Sequence, residues 1–564
     1  MNLNKLWFWP WLAALSSGVL LALCYPTWDI SALIWFWALP LLAALWFSEP
    51  GTKKDGRARS RVWRGWWLGY LSGLAFFLIN LSWLVEVSGV GAVALPAYLA
   101  AYFGFWGAFA ATVGRWDASH SSMGGEGLSK WQKVFAPSWA VLRVAFLNGA
   151  MWCGMEWLRG VAFTGLPWNG LGVALHNNLY LIQIADIIGA TGLSFVMMFC
   201  SCVALATSFR LVQEFGKRGL RPHLDFTVAV AMIMGIFLYG LNRINQKPGE
   251  TKDIRALLVQ LNVPIDKVWD DQALAKNLDE YYNLTTAYVE SSDYDLVVWP
   301  ETSLPGRYFY PWVQTFLNQV LVSGDFYLLA GLEEEVQPGE LYNVATLMKG
   351  STRNYQMYRK SHLVPFGEYL PLRGVFPPFE WIAGDLIPAD FQAGKSFEPL
   401  KLGGGEDGEE WQIIPLICFE DTIGSLARKF VRPNVPQLIV NVTNDGWFWE
   451  SSESAQHLAN ARFRCIELRR PMIRAANTGV SCFIDEVGSL YDRESKQAFE
   501  RKIVDDVSGS TFVTGTLPGT VRMQKNPPMT IYARFGEWFS ISMGAFALFS
   551  ALLKAWGGRR GKEM

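Results

Sequence analysis

Long apolar runs fill the first ~245 residues, then stop. Seven can be drawn, over 7–25, 30–48, 63–85, 92–114, 137–159, 182–209 and 226–243, and an eighth over 536–556. Most reach the ~20 residues that a helix needs to cross a bilayer. Between 250 and 530 the pattern changes to short apolar runs alternating with amphipathic stretches, the pattern of an α/β domain. It predicts strands near 254–260, 294–300, 326–332, 343–349, 354–360, 412–418, 437–442, 472–476, 480–485 and 511–516, and helices near 270–291, 311–323 and 453–469. The first run follows Lys5 and has no A-x-A-like site behind it, so it predicts an uncleaved anchor. The expected architecture is a multi-pass α-helical membrane domain over 1–245, an α/β domain over 250–530 and a C-terminal transmembrane helix over 536–556, about eight transmembrane helices in all.

Composition supports the membrane reading. The chain of 564 residues is 51% hydrophobic and 18% charged, against about 25% charged in ordinary soluble domains. A net charge of -1 and the lack of a basic tract exclude a nucleic-acid partner. The seven cysteines include no C-x-x-C pair and no Cys/His cluster, so neither a metal nor another cofactor is expected. Lys and Arg concentrate in alternate loops: Lys53 to Arg64, Arg115 to Lys133, Arg210 to Arg221, and Lys554 to Lys562. The loops at 86–91 and 160–181 hold almost none. The basic loops mark the cytoplasmic side. Seven spans before the α/β domain and one after it then place that domain outside the cytoplasm.

Three predicted strands end in reactive groups. Ile413-Ile414-Pro415-Leu416-Ile417 runs into Cys418, Leu296-Val297-Val298-Trp299-Pro300 into Glu301, and Tyr355 to Arg359 into Lys360. A thiol becomes a strong nucleophile only on ionisation. A desolvated carboxylate can take its proton, and a lysine can favour both the thiolate and the oxyanion formed on a carbonyl. The backbone N–H of Phe419 is a second candidate oxyanion donor. Each residue alone also has a plain structural reading: inert core for Cys418, a turn cap for Glu301, an edge charge for Lys360. Their joint placement favours a thioester-forming site.

In order and spacing, Trp299-Pro300-Glu301-Thr302, Tyr358-Arg359-Lys360-Ser361-His362-Leu363-Val364-Pro365-Phe366-Gly367-Glu368 and Ile417-Cys418-Phe419-Glu420 resemble the nitrilase superfamily. The Lys360 to Glu368 stretch, with membrane spans on both sides, is similar to the apolipoprotein N-acyltransferase family. So are Leu166-Pro167-Trp168, the segment from Gln183 to Phe195, and Asn441 to Phe448. That resemblance implies an α-β-β-α sandwich in a bacterial inner-membrane protein, its catalytic domain on the periplasmic side. It implies Glu301 as base, Lys360 as oxyanion stabiliser and Cys418 as nucleophile, with Glu368, Glu420, Trp269 and Asn343 in support. The family's common Tyr after the cysteine is Phe419 here. The implied substrates are a phospholipid acyl donor, phosphatidylethanolamine, and a diacylglyceryl apolipoprotein acceptor. Trp168 fits either an interfacial belt residue or a substrate contact. The irregular stretch 367–411, with Phe376, Phe379, Trp381 and Ile382, fits either a packed loop or an apolar lid. Two rival functions stay open: a membrane-anchored amidase of the same superfamily, and a transporter with an inert soluble domain, for which Glu156, Arg159 and Asp186 are the charges within spans.

Overall fold

The computed structural model describes residues 8–49, 60–117, 130–215, 222–264, 271–375, 377, 389–403, 410–431, 434–492 and 500–563. The chain forms two compact units, Met1–Ile244 with Glu537–Met564, and Asn245–Gly536.

The first unit is helical. Its main helices are α1 (Trp9–Ala22), α2 (Leu39–Phe47), α3 (Arg61–Asn80), α4 (Gly91–Ala110), α5 (Lys130–Val161), α6 (Ala185–Glu214), α7 (Leu224–Asn245) and the C-terminal helix from Trp538 to Glu563. Among the described residues, five helical segments are long and apolar enough to cross a membrane, starting at Gly91, Val134, Ala185, Leu224 and Trp538. The first two expected spans form shorter apolar helices, Trp9–Ala22 and Ser31–Phe47. The third expected span, now α3, opens with Arg61 and Arg64 in its first turn, which dilutes its apolar content.

Glycine lets α3 and α4 touch backbone to backbone. A methyl group on Gly69 would sit 2.3 Å from the Phe103 carbonyl oxygen, and one on Gly107 would sit 2.4 Å from that of Gly65. Small residues at such crossings supply the van der Waals contact that drives helix association in lipid. The buried charges of this unit are paired internally. Asp186 accepts from the Tyr239 hydroxyl at 2.7 Å and pairs with Arg243 at 3.2 Å. Glu156 accepts from Trp152 Nε1 at 2.8 Å and the Leu171 N–H at 3.0 Å. Arg159 donates to the Trp168 carbonyl at 2.9 Å. Asp186 thus ties α6 to α7, while Glu156 and Arg159 tie α5 to the 160–181 connection.

The second unit holds two sheets. The larger has strand order β11-β1-β2-β3-β4-β5 and the smaller β10-β9-β8-β7-β6, with β6 (Leu400–Leu402), β10 (Cys482–Ile484) and β11 (Gly515–Gln524) as edge strands. The strands that matter for the site are β1 (Thr251–Gln260), β2 (Leu296–Val298), β3 (Tyr327–Glu335), β4 (Leu341–Lys349), β5 (Ser351–Arg359), β7 (Trp411–Ile417), β8 (Leu438–Thr443) and β9 (Met472–Ala476). Parallel neighbours need crossover connections, and helices provide them. Helix α8 (Asp271–Val289) joins β1 to β2 and α9 (Pro311–Leu321) joins β2 to β3. On the other sheet α10 (Gly424–Phe430) joins β7 to β8, and α11 (Glu453–Leu468) joins β8 to β9.

Strand alternation sorts the apolar side chains into layers. Ile254, Ala256 and Leu258 of β1 pack with Leu296 and Val298 of β2 against Ile413, Ile417, Val440 and Ile473 of the facing sheet. Leu257, Val259, Val297 and Trp299 point the other way, onto Tyr281, Val313 and Leu317 of α8 and α9. The result is the expected α-β-β-α sandwich. The strand near 511–516 lies later than its pattern suggested, as β11 (Gly515–Gln524), antiparallel to β1 at the sheet's edge. Pro518 sits within it, which an edge strand tolerates because no further neighbour needs its missing N–H.

Candidate active site

The three reactive groups stand at the ends of their strands, as the apolar runs predicted. Cys418 follows β7 at once and starts a short 3-10 turn over Cys418–Thr422. Its φ is +53°, a left-handed conformation that costs energy outside glycine and is commonly held in place at functional sites. The residue as a whole is partly exposed at this strand-to-helix turn. Glu301 lies beyond β2, 6% exposed, and Lys360 directly after β5, 1% exposed.

Lys360 Nζ donates to Glu368 Oε1 at 2.7 Å and reaches Glu301 Oε1 at 3.5 Å. Asn343, on β4, donates through Nδ2 to Glu301 at 2.7 Å and to Glu368 at 3.2 Å. Its Oδ1 is buried with no hydrogen-bond partner among the described residues. Glu368 Oε2 accepts the Val364 N–H at 2.8 Å, which folds the Lys360–Glu368 loop back over the site.

Burial pushes the Glu301 carboxyl above the usual carboxylate range; Glu368 adds to this, while Lys360 and Asn343 pull it back. Lys360 is held well above the usual lysine value. Burial acts against its charge, but Glu368, Glu301 and Cys418 outweigh that effect. Burial and Glu301 push the Cys418 thiol well above its ordinary value, and Lys360 opposes them. The resting site is therefore a neutral thiol facing a carboxylate and an ammonium. A base must remove the thiol proton during the reaction, because no preformed thiolate is stabilised.

Glu420 ties two of the strand ends together. Its Oε1 accepts from the Ser361 N–H at 2.8 Å and the His362 N–H at 3.0 Å, just after Lys360. Its Oε2 accepts from the Ile417 N–H at 2.9 Å, just before Cys418. The Tyr358 hydroxyl adds a bond at 2.9 Å. The one Glu420 carboxylate thus fixes the backbone beside Cys418 and that beside Lys360 relative to each other. The Phe419 ring lies 6.0 Å from that of His362, centroid to centroid.

Behind the Cys418 turn lies a buried charge network. His457 bridges Asp421 at 2.9 Å and Asp445 at 3.1 Å. Arg474 pairs with Asp421, and with Asp445 at 3.1 Å. Arg474 also donates to Asn441 Oδ1 at 3.0 Å, and Asn441 Nδ2 donates to the Cys418 carbonyl at 3.1 Å. Burial and Arg474 disfavour a charged His457, yet Asp421 and Asp445 outweigh them and lift its pKa to about 10. The ligand atoms of Asp445, Glu453 and His457 lie within 4.8 Å of one another. A protonated imidazole cannot ligate a metal, and Arg474 already supplies the positive charge.

Gly331 of β3 is needed for close approach. A Cβ there would meet Glu301 Cα at 2.5 Å and the Pro300 carbonyl at 2.6 Å. Gly331→Ala is therefore expected to push the Glu301 segment outward and lower kcat/KM by about 10²-fold, since a misplacement near 1 Å costs that much. Steady-state kinetics with a thermal melt check this; unchanged kcat/KM would refute it.

Comparison with known proteins gives the same picture. Residues 17–203 match the apolipoprotein N-acyltransferase N-terminal domain, and residues 255–503 match the carbon-nitrogen hydrolase domain. The chain is 32% identical to an apolipoprotein N-acyltransferase of Nitrosomonas europaea, covering 76% of this chain and 77% of that protein. It is 32% identical to one of Rickettsia bellii, covering 72% and 74%. The chain belongs to the apolipoprotein N-acyltransferase family. A member from Geobacter metallireducens, 28% identical, aligns over 96% of this chain and 95% of its own length. The family resemblance read from short motifs therefore extends along both units.

Of the residues singled out from sequence, Glu301, Lys360, Cys418, Glu368, Asn343, Phe419 and Glu420 converge at one place. Trp168 does not belong to that cluster. It lies in the helical unit, 3% exposed, its ring 5.5 Å from that of Trp83, so it is a packed residue rather than a lipid-facing belt residue. Trp269 lies outside the described residues, as do Phe376, Phe379, Trp381 and Ile382. Cys465 and Cys482 are buried free thiols. Sequence reading missed Gly331 and Arg474, and gave Asn441 only as part of a matching stretch; their roles depend on contacts between strands far apart in the chain.

Proposed function

We propose that Cys418 carries a fatty acyl group as a thioester between a phospholipid and the amino group of a lipoprotein's N-terminal diacylglyceryl-cysteine. As a family member the chain is a membrane acyltransferase of lipoprotein N-acylation. The single observation that carries the proposed cycle is the Cys418 thiol, held in a strained turn, facing buried Glu301 and buried Lys360.

In the first half, Glu301 takes the thiol proton as sulfur attacks the ester carbonyl. Lys360 and the Phe419 N–H meet the developing oxyanion. The carbonyl re-forms, the C–O bond breaks, and Glu301 returns the proton to the leaving alkoxide of the lysophospholipid. In the second half, the lipoprotein amine attacks the thioester carbonyl, Glu301 accepts the amine proton, and the C–S bond breaks. The thiolate takes the proton back from Glu301, leaving an amide product and a resting site.

The substrates suit the apolar surroundings. Phe366, Leu372 and Val375 follow Lys360 and are exposed, as are Trp447 and Trp449 after β8. Apolar side chains on the segments that carry the site favour acyl chains over a small polar amide. Moving an acyl chain into water would cost about 0.8 kcal/mol per CH₂. Phosphatidylethanolamine as donor, the inner membrane, and a periplasmic position of the catalytic unit complete the proposal. The loop-charge pattern supports the last of these.

Intact-protein mass spectrometry after incubation with phospholipid, without acceptor, tests the cycle. A mass gain of one fatty acyl chain is expected, removed by hydroxylamine and missing in Cys418→Ala. Absence of the adduct in the wild-type protein, with lysophospholipid still produced, would overturn it.

A further inference from the structure

Thr443 is the last residue of β8 and fully buried. Strand β8 runs parallel to β7 with Val442 opposite Ile417, so the next residues, Thr443 and Cys418, are side by side. Burial and Glu301 raise the pKa of the Cys418 thiol, and Thr443 is among the groups that lower it. The Thr443 hydroxyl donates to Asp445 Oδ1 at 2.9 Å.

A hydroxyl has one hydrogen and two lone pairs. With that hydrogen on Asp445, Thr443 can only accept from sulfur, which suits a thiol S–H. A thiolate has no hydrogen to give and needs a donor. Asp445 can release the hydroxyl, because His457 Nδ1 at 3.1 Å and Arg474 Nη2 at 3.1 Å still donate to it. Arg474 keeps Asp445 anionic despite its burial, at a pKa of about 2, so no proton passes between Thr443 and Asp445. A single rotation about the Thr443 C–O bond exchanges the two arrangements.

We propose that the Thr443 hydroxyl is a two-position hydrogen-bond donor for the nucleophile: directed to Asp445 while Cys418 is a thiol or thioester, and to sulfur whenever Cys418 is a thiolate. The inference rests on Cys418 being the nucleophile. It supplies a donor at both moments when charge sits on sulfur: attack on the phospholipid, and departure from the thioester. Glu301 moves the proton in each case, and Thr443 only redirects its own hydrogen. The charged groups around the sulfur are Glu301 beyond β2, Lys360 beyond β5 and Asp445 beyond β8. Lys360 already donates to Glu368 and Glu301, which leaves Thr443 as the hydroxyl dedicated to sulfur.

The test uses the full-length protein in detergent micelles. Iodoacetamide alkylation of Cys418, located by peptide mass spectrometry, is followed from pH 7 to 10. Thr443→Val, of similar shape, is expected to raise the apparent thiol pKa by about one unit, and so to slow alkylation at pH 8 about tenfold, because a hydrogen bond to a charged group is lost. It should lower kcat more than it raises KM. Thr443→Ser should restore the wild-type profile. Superimposable wild-type and valine profiles would overturn the proposal, as would a serine variant shifted as far as the valine one, which would mark a packing role. If the valine variant does not fold, the infrared S–H band of the wild-type protein minus Cys418→Ala decides. A band at a hydrogen-bonded thiol frequency supports the proposal, and a free-thiol band overturns it. Alkylation needs no substrate, so failure here is separate from a missing acyl adduct, which would count against the catalytic cycle.

Discussion

Glu301→Gln is expected to lower kcat/KM for acyl transfer on the order of 10³-fold, the usual contribution of a positioned general base. The amide oxygen can still accept from Asn343 Nδ2, which now bonds Glu301 at 2.7 Å, so the loss should be chemical rather than structural. The pH profile gives a second reading. Burial lifts Glu301 above its ordinary value, and the base must be ionised to act. Activity of the wild-type enzyme should therefore rise with pH through an inflection above 4.5, and that acid limb should vanish in the glutamine variant. An acid limb that survives would assign the base elsewhere.

The second large effect is expected at Lys360. Lys360→Met removes the only cation among the described residues that pairs with Glu301 and Glu368, and leaves two carboxylates sharing Asn343. Breaking a buried pair from one side costs about 3–5 kcal/mol, because the remaining charge stays buried and unpaired. Acyl transfer should fall below detection. The stability loss should depend on pH. Lys360 folds with its pKa raised, so its contribution is fully present throughout the neutral range and is lost only as pH rises through that elevated value. Without it, Glu301 rises further, and a carboxyl raised on folding binds protons more tightly in the folded state. The variant should then lose stability as pH climbs above the ordinary carboxylate value. Melting curves of both proteins at pH 5 and pH 8 measure this. A gap between wild type and variant that does not widen at pH 8 would refute it.

Much of the fold and of the site could be read from the chain because both lie along it. An apolar run that stops at a reactive residue, as at Ile417-Cys418 or Val298 to Glu301, shows a strand and its functional end together. The Lys360 to Glu368 loop was legible for the same reason, since Glu368 returns to a lysine only eight residues earlier. Other features have no local signature. Asn441 donates to the Cys418 carbonyl and Arg474, on the neighbouring strand, donates to Asn441, and nothing in the sequence around either marks those bonds. Gly331 looks like any strand glycine until Glu301 lies against it. The first two apolar runs form helices shorter than the runs themselves, because helix length also depends on where turns interrupt a run, as between Trp35 and Leu39.

Glu301 and Lys360 belong to one sheet and Cys418 to the other. Cys418 and Glu301 are therefore spaced by the thickness of the apolar layer between the sheets, where Val298, Leu329 and Ala345 meet Ile417 and Val440. That layer works as a mechanical gauge. Protein interiors resist compression and relax only partly around a missing methyl group, so a change deep in the layer would reach the sulfur as altered distance. Selection on such interior positions then acts on rate as well as on folding, and drift in their size would surface as slower or leakier catalysis in an otherwise intact enzyme.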